Sequence, residues 1–325
     1  MYLEDRTLFL AGATGLVGSS VIAHLLASHP RTRIRAAYRG TAPHLPTDPM
    51  VEYVRGDLRS TEDCRRMVSG CDCAVVAAAN TGGAAVLNAT PWSQVTDNVV
   101  LNANLLAALH AEGVKRVLYV GSATAYQPFD GAIAEQDLDL NRDPHQAHFG
   151  VGWVLRFTEK LCRFWHDSAG MEIVIVRASN VFGPYARFAP GASNFIPALI
   201  RKAVDRQDPF EVWGSPEVTR DVLYSEDFAS AVVALLDAEQ IKFDTFNVGS
   251  GKRTRVGDVV TWALKYARHN PSRIRYTDGA TTLSHRALDC SKVKAAVGWE
   301  PRNTPEEGVR KTTEWWMNNR DRWTR

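Results

Sequence analysis

Cysteine is scarce in this 325-residue chain, and the five present, Cys64, Cys71, Cys73, Cys162 and Cys290, are an odd, unevenly scattered set. That argues against a disulfide framework and for a reducing compartment. Cys71 and Cys73 lie close together but have no second Cys or His pair at ligand spacing, so buried thiols are expected and no metal site. Charge of one sign is equally sparse. The 38 Lys and Arg against 36 Asp and Glu leave +2, with no basic run, so nucleic acid is not an expected partner. No apolar run is long enough to cross a bilayer, and a strand pattern begins at Thr7, leaving no room for a signal peptide. The expected location is the cytoplasm. Repeats and low-complexity tracts are also lacking. What remains, 45% hydrophobic and 23% charged, is an ordinary globular composition with chain enough for one large core or two modest ones.

The stretch that organises the rest is Thr7 to Ala27, TLFLAGATGLVGSSVIAHLLA. Apolar residues Leu8 to Ala11 run into Gly12, Ala13, Thr14, Gly15, Leu16, Val17 and Gly18, and an apolar 3.6-period pattern continues through Val21, Ile22, Leu25 and Leu26. Strand, glycine-rich turn and helix in this order let a pyrophosphate rest on the N–H groups of the helix N-terminus, provided the side chains of the turn are absent or tiny. Gly12 and Gly15 meet that need, and Gly18 lets the helix lie tight on the strand. The alternative is a tight turn without a ligand. Ile34 to Tyr38 reads as a second strand, ending in Arg39 and Gly40. An NAD enzyme places an acidic residue there to hold the ribose hydroxyls, whereas a guanidinium suits a 2′-phosphate, so NADP is expected ahead of NAD. A solvated arginine at a strand end is the plainer reading.

Further strands are expected at Val51 to Val54, Ala74 to Ala79, Val114 to Val120, Glu172 to Arg177 and Phe246 to Val248, alternating with helices near Thr61 to Ser69, Gln94 to Glu112, Gly150 to Ser168, Val256 to Arg268 and Pro305 to Asn318. The alternation predicts an α/β fold, a doubly wound parallel Rossmann sheet with a smaller C-terminal substrate-binding lobe. Residues 1–180, with about 222–250, would form the dinucleotide-binding domain, and 181–221 with 251–325 the lobe. The small residues Ala77, Ala78 and Ala79 would let a flat cofactor lie close. Ser122 falls at the C-terminal end of the fifth strand, where open α/β sheets bind ligands.

The series GATGLVG, AAANTGG, DNVVLNANLLAALHAEGVKRVLYVGSATAYQP, ASNVFGPY, VWGSPEVTRDVLYSEDFA, NVGSG and RALDCSKVKAAVGWEP resembles the extended short-chain dehydrogenase/reductases, the NAD-dependent epimerase/dehydratase family, and within it the GDP-L-fucose synthases. The resemblance covers nearly the whole chain. It implies that Gly12 to Gly18 hold the pyrophosphate, Arg39 the adenosine phosphate, Asp57 and Leu58 the adenine, and Ala77 to Ala79 the ribose. Val120, Ala178, Asn180 and Val181 would be further cofactor contacts, although the family usually has Pro at Ala178. Trp213, Arg220, Asp278 and Arg286 would hold a nucleotide-linked sugar, with two arginines suited to gripping a diphosphate. An Arg220–Asp221 surface pair is the alternative. The resemblance further implies a homodimer through the helices at Gln94 to Glu112 and Gly150 to Ser168.

One thing is missing. The family's chemistry rests on a Ser or Thr, here Ser122, and on YxxxK in the helix that follows. This helix reads HFGVGWVLRFTEKLCRFW, and anchoring on EKLC puts Val151 at the Tyr and Leu155 at the Lys. A register using Phe149 and Trp153 does no better. Asn194 stands where the synthases carry a further His. His148, one turn before Val151, is the candidate substitute acid/base, with Tyr126 and Tyr185 as rivals. Lys160 is no rescue, because relatives that keep YxxxK also carry a Lys there. Two functions follow: an NADP-dependent nucleotide-sugar oxidoreductase or epimerase with a non-standard acid/base set, or a catalytically silent dinucleotide- or nucleotide-sugar-binding protein acting as sensor or partner.

Overall fold

The structure, a computed structural model, describes residues 1–81, 91–277 and 286–323. Seven parallel strands form the central sheet: β1 (Thr7–Ala11), β2 (Arg33–Tyr38), β3 (Val51–Arg55), β4 (Cys73–Val76), β5 (Arg116–Ser122), β6 (Glu172–Ala178) and β7 (Phe243–Val248). Their spatial order is β3-β2-β1-β4-β5-β6-β7, so the chain reverses direction between β1 and β4, the switch point at which such sheets open a crevice for ligands.

The apolar runs of the inner strands reflect burial on both faces. Leu8 and Leu10 of β1 pack into one core with Val21, Ile22 and Leu25 of α1 (Leu16–Ser28) and with Phe228, Val232 and Leu235 of α6 (Ser225–Asp237). Phe9 and Ala11 point the other way, toward Met67 of α2 (Thr61–Val68), Leu105 and Leu109 of α3 (Pro91–Ala111) and Cys162 of α4 (Phe149–Ala169). A third core, around Phe188, Phe210 and Val259, unites α5 (Phe195–Val204), α7 (Val256–Ala267) and α9 (Pro305–Asn319) in the C-terminal half. Val293 of α8 (Ser291–Val297) and Trp299 pack instead on the first core. The stretch 251–325 thus contributes to both the first and the third core.

Several boundaries differ from expectation: β5 runs Arg116–Ser122, two residues past the expected span, β7 begins at Phe243 and not Phe246, and two further ends have a plain local cause. β4 stops at Val76, so Ala77 to Ala79 lie beyond the strand. The reason is β1: Ala77 N–H still reaches the Ala11 carbonyl (3.2 Å), but the chain then leaves the sheet at Gly12, whose φ is +83°. α3 begins at Pro91, three residues before Gln94, because proline suits the first helical position. The helices α6 and α8 are found where the sequence pattern gave no clear signal. All five cysteines are free thiols, and no helix among the described residues is long and apolar enough to cross a membrane.

Candidate active site

The glycine-rich turn is built by close approach. A Cβ on Gly12 would sit 2.8 Å from the Ala77 carbonyl oxygen, and one on Gly18 would sit 2.2 Å from the Gly12 carbonyl oxygen. Gly15 caps α1 without a side chain, and the first turn holds no acidic residue. The N-terminus of α1, behind Leu16 and Val17, therefore presents its dipole without a neutralising group, as an anion site requires. Ala13 N–H is spent on the Ala37 carbonyl (3.0 Å), which ties the turn to β2.

Arg39 follows β2 and is exposed, with no ion pair among the described residues. Asp57 is gripped by Arg59, whose Nε lies 3.0 Å and 3.2 Å from its two oxygens and whose Nη2 is at 2.6 Å. That grip holds the Asp57 carboxyl down at about 2. Leu58 and Ala78 are half-buried on the same side of the sheet, and Ala77 is half-buried against the core on the other side. Asn80 is fixed by Asn98, which accepts its N–H (2.7 Å) and donates to its carbonyl (3.0 Å).

At the end of β5, Val120 and Gly121 lead to Ser122. The Ser122 hydroxyl donates to Thr124 Oγ1 (3.1 Å) and accepts the Thr124 N–H (3.2 Å), so the Ser122 oxygen caps the short turn Ala123–Ala125. Opposite runs α4. Thr158 of this helix is hydrogen-bonded by Asn102 of α3 (3.4 Å), and Cys162 is buried in the sheet core. Val151 and Leu155 precede them at helical spacing on the same face. Phe149 is 51% exposed, and Trp153 turns out to donate to Asp143. Val151 and Leu155 are both half-buried on α4.

His148 stands at the N-cap of α4. Burial, and after it the charges of His145, Arg286 and Arg220, lower its pKa below the usual 6.5. Arg220 and Arg286 line one cleft with Ala123, Phe129 and Asn180, so this cleft adjoins the Ser122 turn. Burial, and then the Arg220 charge, bring Arg286 down to about 10, and its guanidinium lies over the Phe129 ring, 5.5 Å from the centroid.

Asp221 is no surface partner of Arg220. It is 4% exposed and accepts from Ser250 N–H (2.7 Å), Ser250 Oγ (2.8 Å), Gly251 N–H (3.1 Å) and Leu288 N–H (3.1 Å). Asn180, at the exit of β6 after Ala178, donates through its N–H (3.1 Å) and Nδ2 (2.8 Å) to the Asp221 carbonyl, and Val181 continues a short parallel pairing with Leu223.

Trp213 is 68% exposed on a two-stranded ribbon with Ile274–Thr277 and is not among the residues lining the arginine cleft. Asn194 is an exposed N-cap of α5 whose side chain makes no capping bond. Asp278 lies outside the described residues. Tyr126 is locked: its hydroxyl donates to Asn247 Oδ1 (2.7 Å), accepts from Arg177 (2.9 Å), and burial raises it to about 12. Tyr185 packs against His44 and Trp315 in the C-terminal half. Tyr126 closes the Ser122 turn through its backbone, whose N–H donates to the Ala123 carbonyl (3.2 Å), but its hydroxyl is committed to Asn247 and Arg177.

The sequence reading missed the polar network behind Tyr126. Arg177 lies in β6, 4% exposed, and pairs with Glu159 of α4 through two bonds of 2.9 Å and 2.8 Å. The signal was there: a lone arginine in the apolar strand EIVIVRA has to find a partner.

Residues 8–249 match the model of the "NAD dependent epimerase/dehydratase family". The chain is 25% identical over 316 residues to GDP-mannose 3,5-epimerase of Arabidopsis thaliana, covering 96% of this chain and 82% of that one. It is 24% identical over 328 residues to GDP-L-fucose synthase of Sinorhizobium fredii, covering 98% of both. Among solved structures, an epimerase of Methanothermobacter thermautotrophicus superposes with a TM-score of 0.87 at 20% identity, covering 98% of this chain and 94% of that one. UDP-glucose 4-epimerase of Thermotoga maritima, solved with UDP-glucose, does so with 0.84 at 19%, covering 96% and 99%.

Proposed function

Because the chain belongs to the NAD-dependent epimerase/dehydratase family, we propose that its crevice binds NADP and a nucleotide-linked sugar and that it is an oxidoreductase or epimerase with His148 in place of the usual tyrosine. The observation that carries this reading is the convergence of His148, Arg220 and Arg286 beside the Ser122 turn. Two half-buried cations side by side repel one another, and a diphosphate relieves that cost while accepting paired hydrogen bonds from each. The residue fit on the cofactor side is the turn of Gly12, Gly15 and Gly18, packed so closely on Ala77, Ala78 and its own backbone that a Cβ at Gly12 or Gly18 would clash, leading into the N-terminus of α1 with no acidic residue in its first turn.

In this reading Gly12 to Gly18 hold the pyrophosphate, Arg39 the 2′-phosphate, Asp57 and Leu58 the adenine edge, Ala77 to Ala79 and Val120 the ribose side, and Ala178, Asn180 and Val181 the nicotinamide end. When bound, the nicotinamide supplies a hydride donor or acceptor. Ser122 donates a hydrogen bond to the reacting sugar oxygen. His148, held neutral near pH 7, moves the proton of that oxygen, and the two arginines fix the diphosphate so that the sugar reaches both. We further read the protein as a cytoplasmic homodimer.

The second reading, a silent nucleotide-sugar or dinucleotide binder serving as sensor or partner, is favoured by one observation: Val151 and Leu155 offer no proton path. Calorimetry with NADPH and NADH, followed by turnover on a panel of nucleotide 4-keto sugars, decides between them. Turnover abolished by His148→Ala supports the enzyme. Tight binding without turnover across the panel supports the silent protein.

A further inference from the structure

Four arginines crowd the ends of β2 and β3, and two are already neutralised. Arg59 holds Asp57 and reaches Asp97 at 3.0 Å. Arg66 holds Asp63 at 2.6 Å and donates to the Arg55 carbonyl at 2.9 Å. Asp57, Asp63 and Asp97 are thereby spent. Arg39 and Arg55 are exposed and make no ion pair among the described residues. They are nevertheless joined. Tyr38 and Arg55 are register partners, and Arg55 Nε donates to the Arg39 carbonyl at 3.1 Å. That bond pins one N–H of the Arg55 guanidinium at the tip of β2 and leaves its terminal nitrogens without a hydrogen-bond acceptor among the described residues. The side of the sheet is also right. Arg55 is two residues on from Tyr53, which packs on the core containing α1, so its side chain emerges on the face that carries the glycine-rich turn.

We propose that Arg55 is a second specificity-determining residue for the cofactor, closing with Arg39 on the 2′-phosphate of NADP. The inference rests on the NADP reading above and adds a residue to it. A phosphomonoester carries between one and two negative charges near neutral pH, more than one guanidinium balances. Two guanidiniums, one fixed by its own Nε bond, answer that charge with parallel N–H donors. The same pair offers nothing to a ribose diol, which wants a carboxylate acceptor. Asp57, the carboxylate in the field of Arg39, is occupied by Arg59.

The test is calorimetry of the full chain with NADPH, NADH, and the fragments 2′,5′-ADP and 5′-ADP, on wild type, Arg39→Ala, Arg55→Ala and Arg55→Gln. Because Arg55 is exposed, these variants should keep the wild-type melting temperature. Arg55→Ala and Arg55→Gln should each weaken NADPH and 2′,5′-ADP about tenfold, the scale of one lost charge-assisted contact, and leave NADH and 5′-ADP unchanged. The slope of NADPH affinity against salt should also fall. If Arg39→Ala weakens NADPH but the Arg55 variants do not, the second clamp is overturned and the NADP reading stands. If wild type binds NADH as tightly as NADPH, the NADP reading fails and this inference with it. Equal weakening of 2′,5′-ADP and 5′-ADP by Arg55→Ala would assign Arg55 a purely structural role and overturn the proposal.

Discussion

The start of α4 carries two separate predictions, the first at His148, where the charges that act beside burial are those of His145, Arg286 and Arg220. Desolvation comes first, and His145, Arg286 and Arg220 add to it, so the imidazole releases its proton below the ordinary 6.5. The sign follows from linkage. With the folded pKa depressed, the unfolded chain binds more protons as pH falls through that range, so this group's contribution is present above about 6.5 and is lost on acidification. The neutral form needed to accept a proton therefore persists at pH 7. The expected pH profile of kcat/KM is flat near neutrality with an acid limb below 6.5. His148→Gln should cost about a hundred- to ten-thousand-fold in rate while NADPH affinity holds. An acid limb above 7 would remove His148 from the role. The second prediction concerns the positions on the same helix where the usual dyad is missing. Val151→Tyr combined with Leu155→Lys should raise reduction of a GDP-4-keto-6-deoxy sugar above a very low wild-type level, since the Lys ammonium would lower the tyrosine pKa. A silent double variant that still binds NADPH would count against this substrate class.

Among the elements, the segment linking the two arginines is the most exposed to a single change. Asp221 gives all its capacity to four donors from the turn Ser250–Gly251 and from Leu288, so it ties the strand after Arg220 to the strand that begins at Arg286. Gly249 permits this, because a Cβ there would meet Asp221 Oδ2 at 2.6 Å. Asp221→Asn turns an NH2 group toward two of those donors. We expect a loss of about 2–4 kcal/mol in stability, and a rise in KM for the nucleotide sugar with NADPH affinity unchanged. A variant as stable as wild type, by urea unfolding, would refute this role. The clasp also marks what a sequence can and cannot convey. Strands β1, β4, β5 and β6 were legible because burial on both faces demands unbroken apolar runs, and the turn at Gly12 because its glycines have no other use. The ends of β4 and α3 shifted because they depend on what a neighbouring element does there. The clasp itself, and the Arg177–Glu159–Tyr126 network, join residues far apart in the chain. Local patterns carry no record of such pairings. Tyr126 looked like a candidate acid/base for that reason.

At the scale of the molecule, α3 and α4 leave a face that water should not be left to cover. Trp92 is 66% exposed on α3, and Phe149, Phe157 and Phe164 are 51%, 46% and 55% exposed on α4. The three phenylalanines recur at about two-turn spacing and so form one stripe along α4. The inward sides of both helices are spent on the sheet core through Leu105, Leu109 and Cys162. A stripe of this size marks an interaction surface. Its best occupant is a second copy of the chain, because two helices related by a two-fold axis complete a four-helix bundle in which each stripe meets its own image. An aromatic side chain buries about 150–250 Å² when fully covered, so these four, about half exposed, supply roughly half of the ~800 Å² per partner of a standard interface, and the flanking helix surfaces supply the rest. A net charge of +2 raises little electrostatic barrier to self-association. Wild type should therefore run as a dimer in light scattering at micromolar concentration. Phe157→Glu with Phe164→Glu should give a monomer whose far-ultraviolet circular dichroism is unchanged, because neither ring supports the fold from within. A monomeric wild type, or a double variant that stays dimeric, would place the interface elsewhere or remove it.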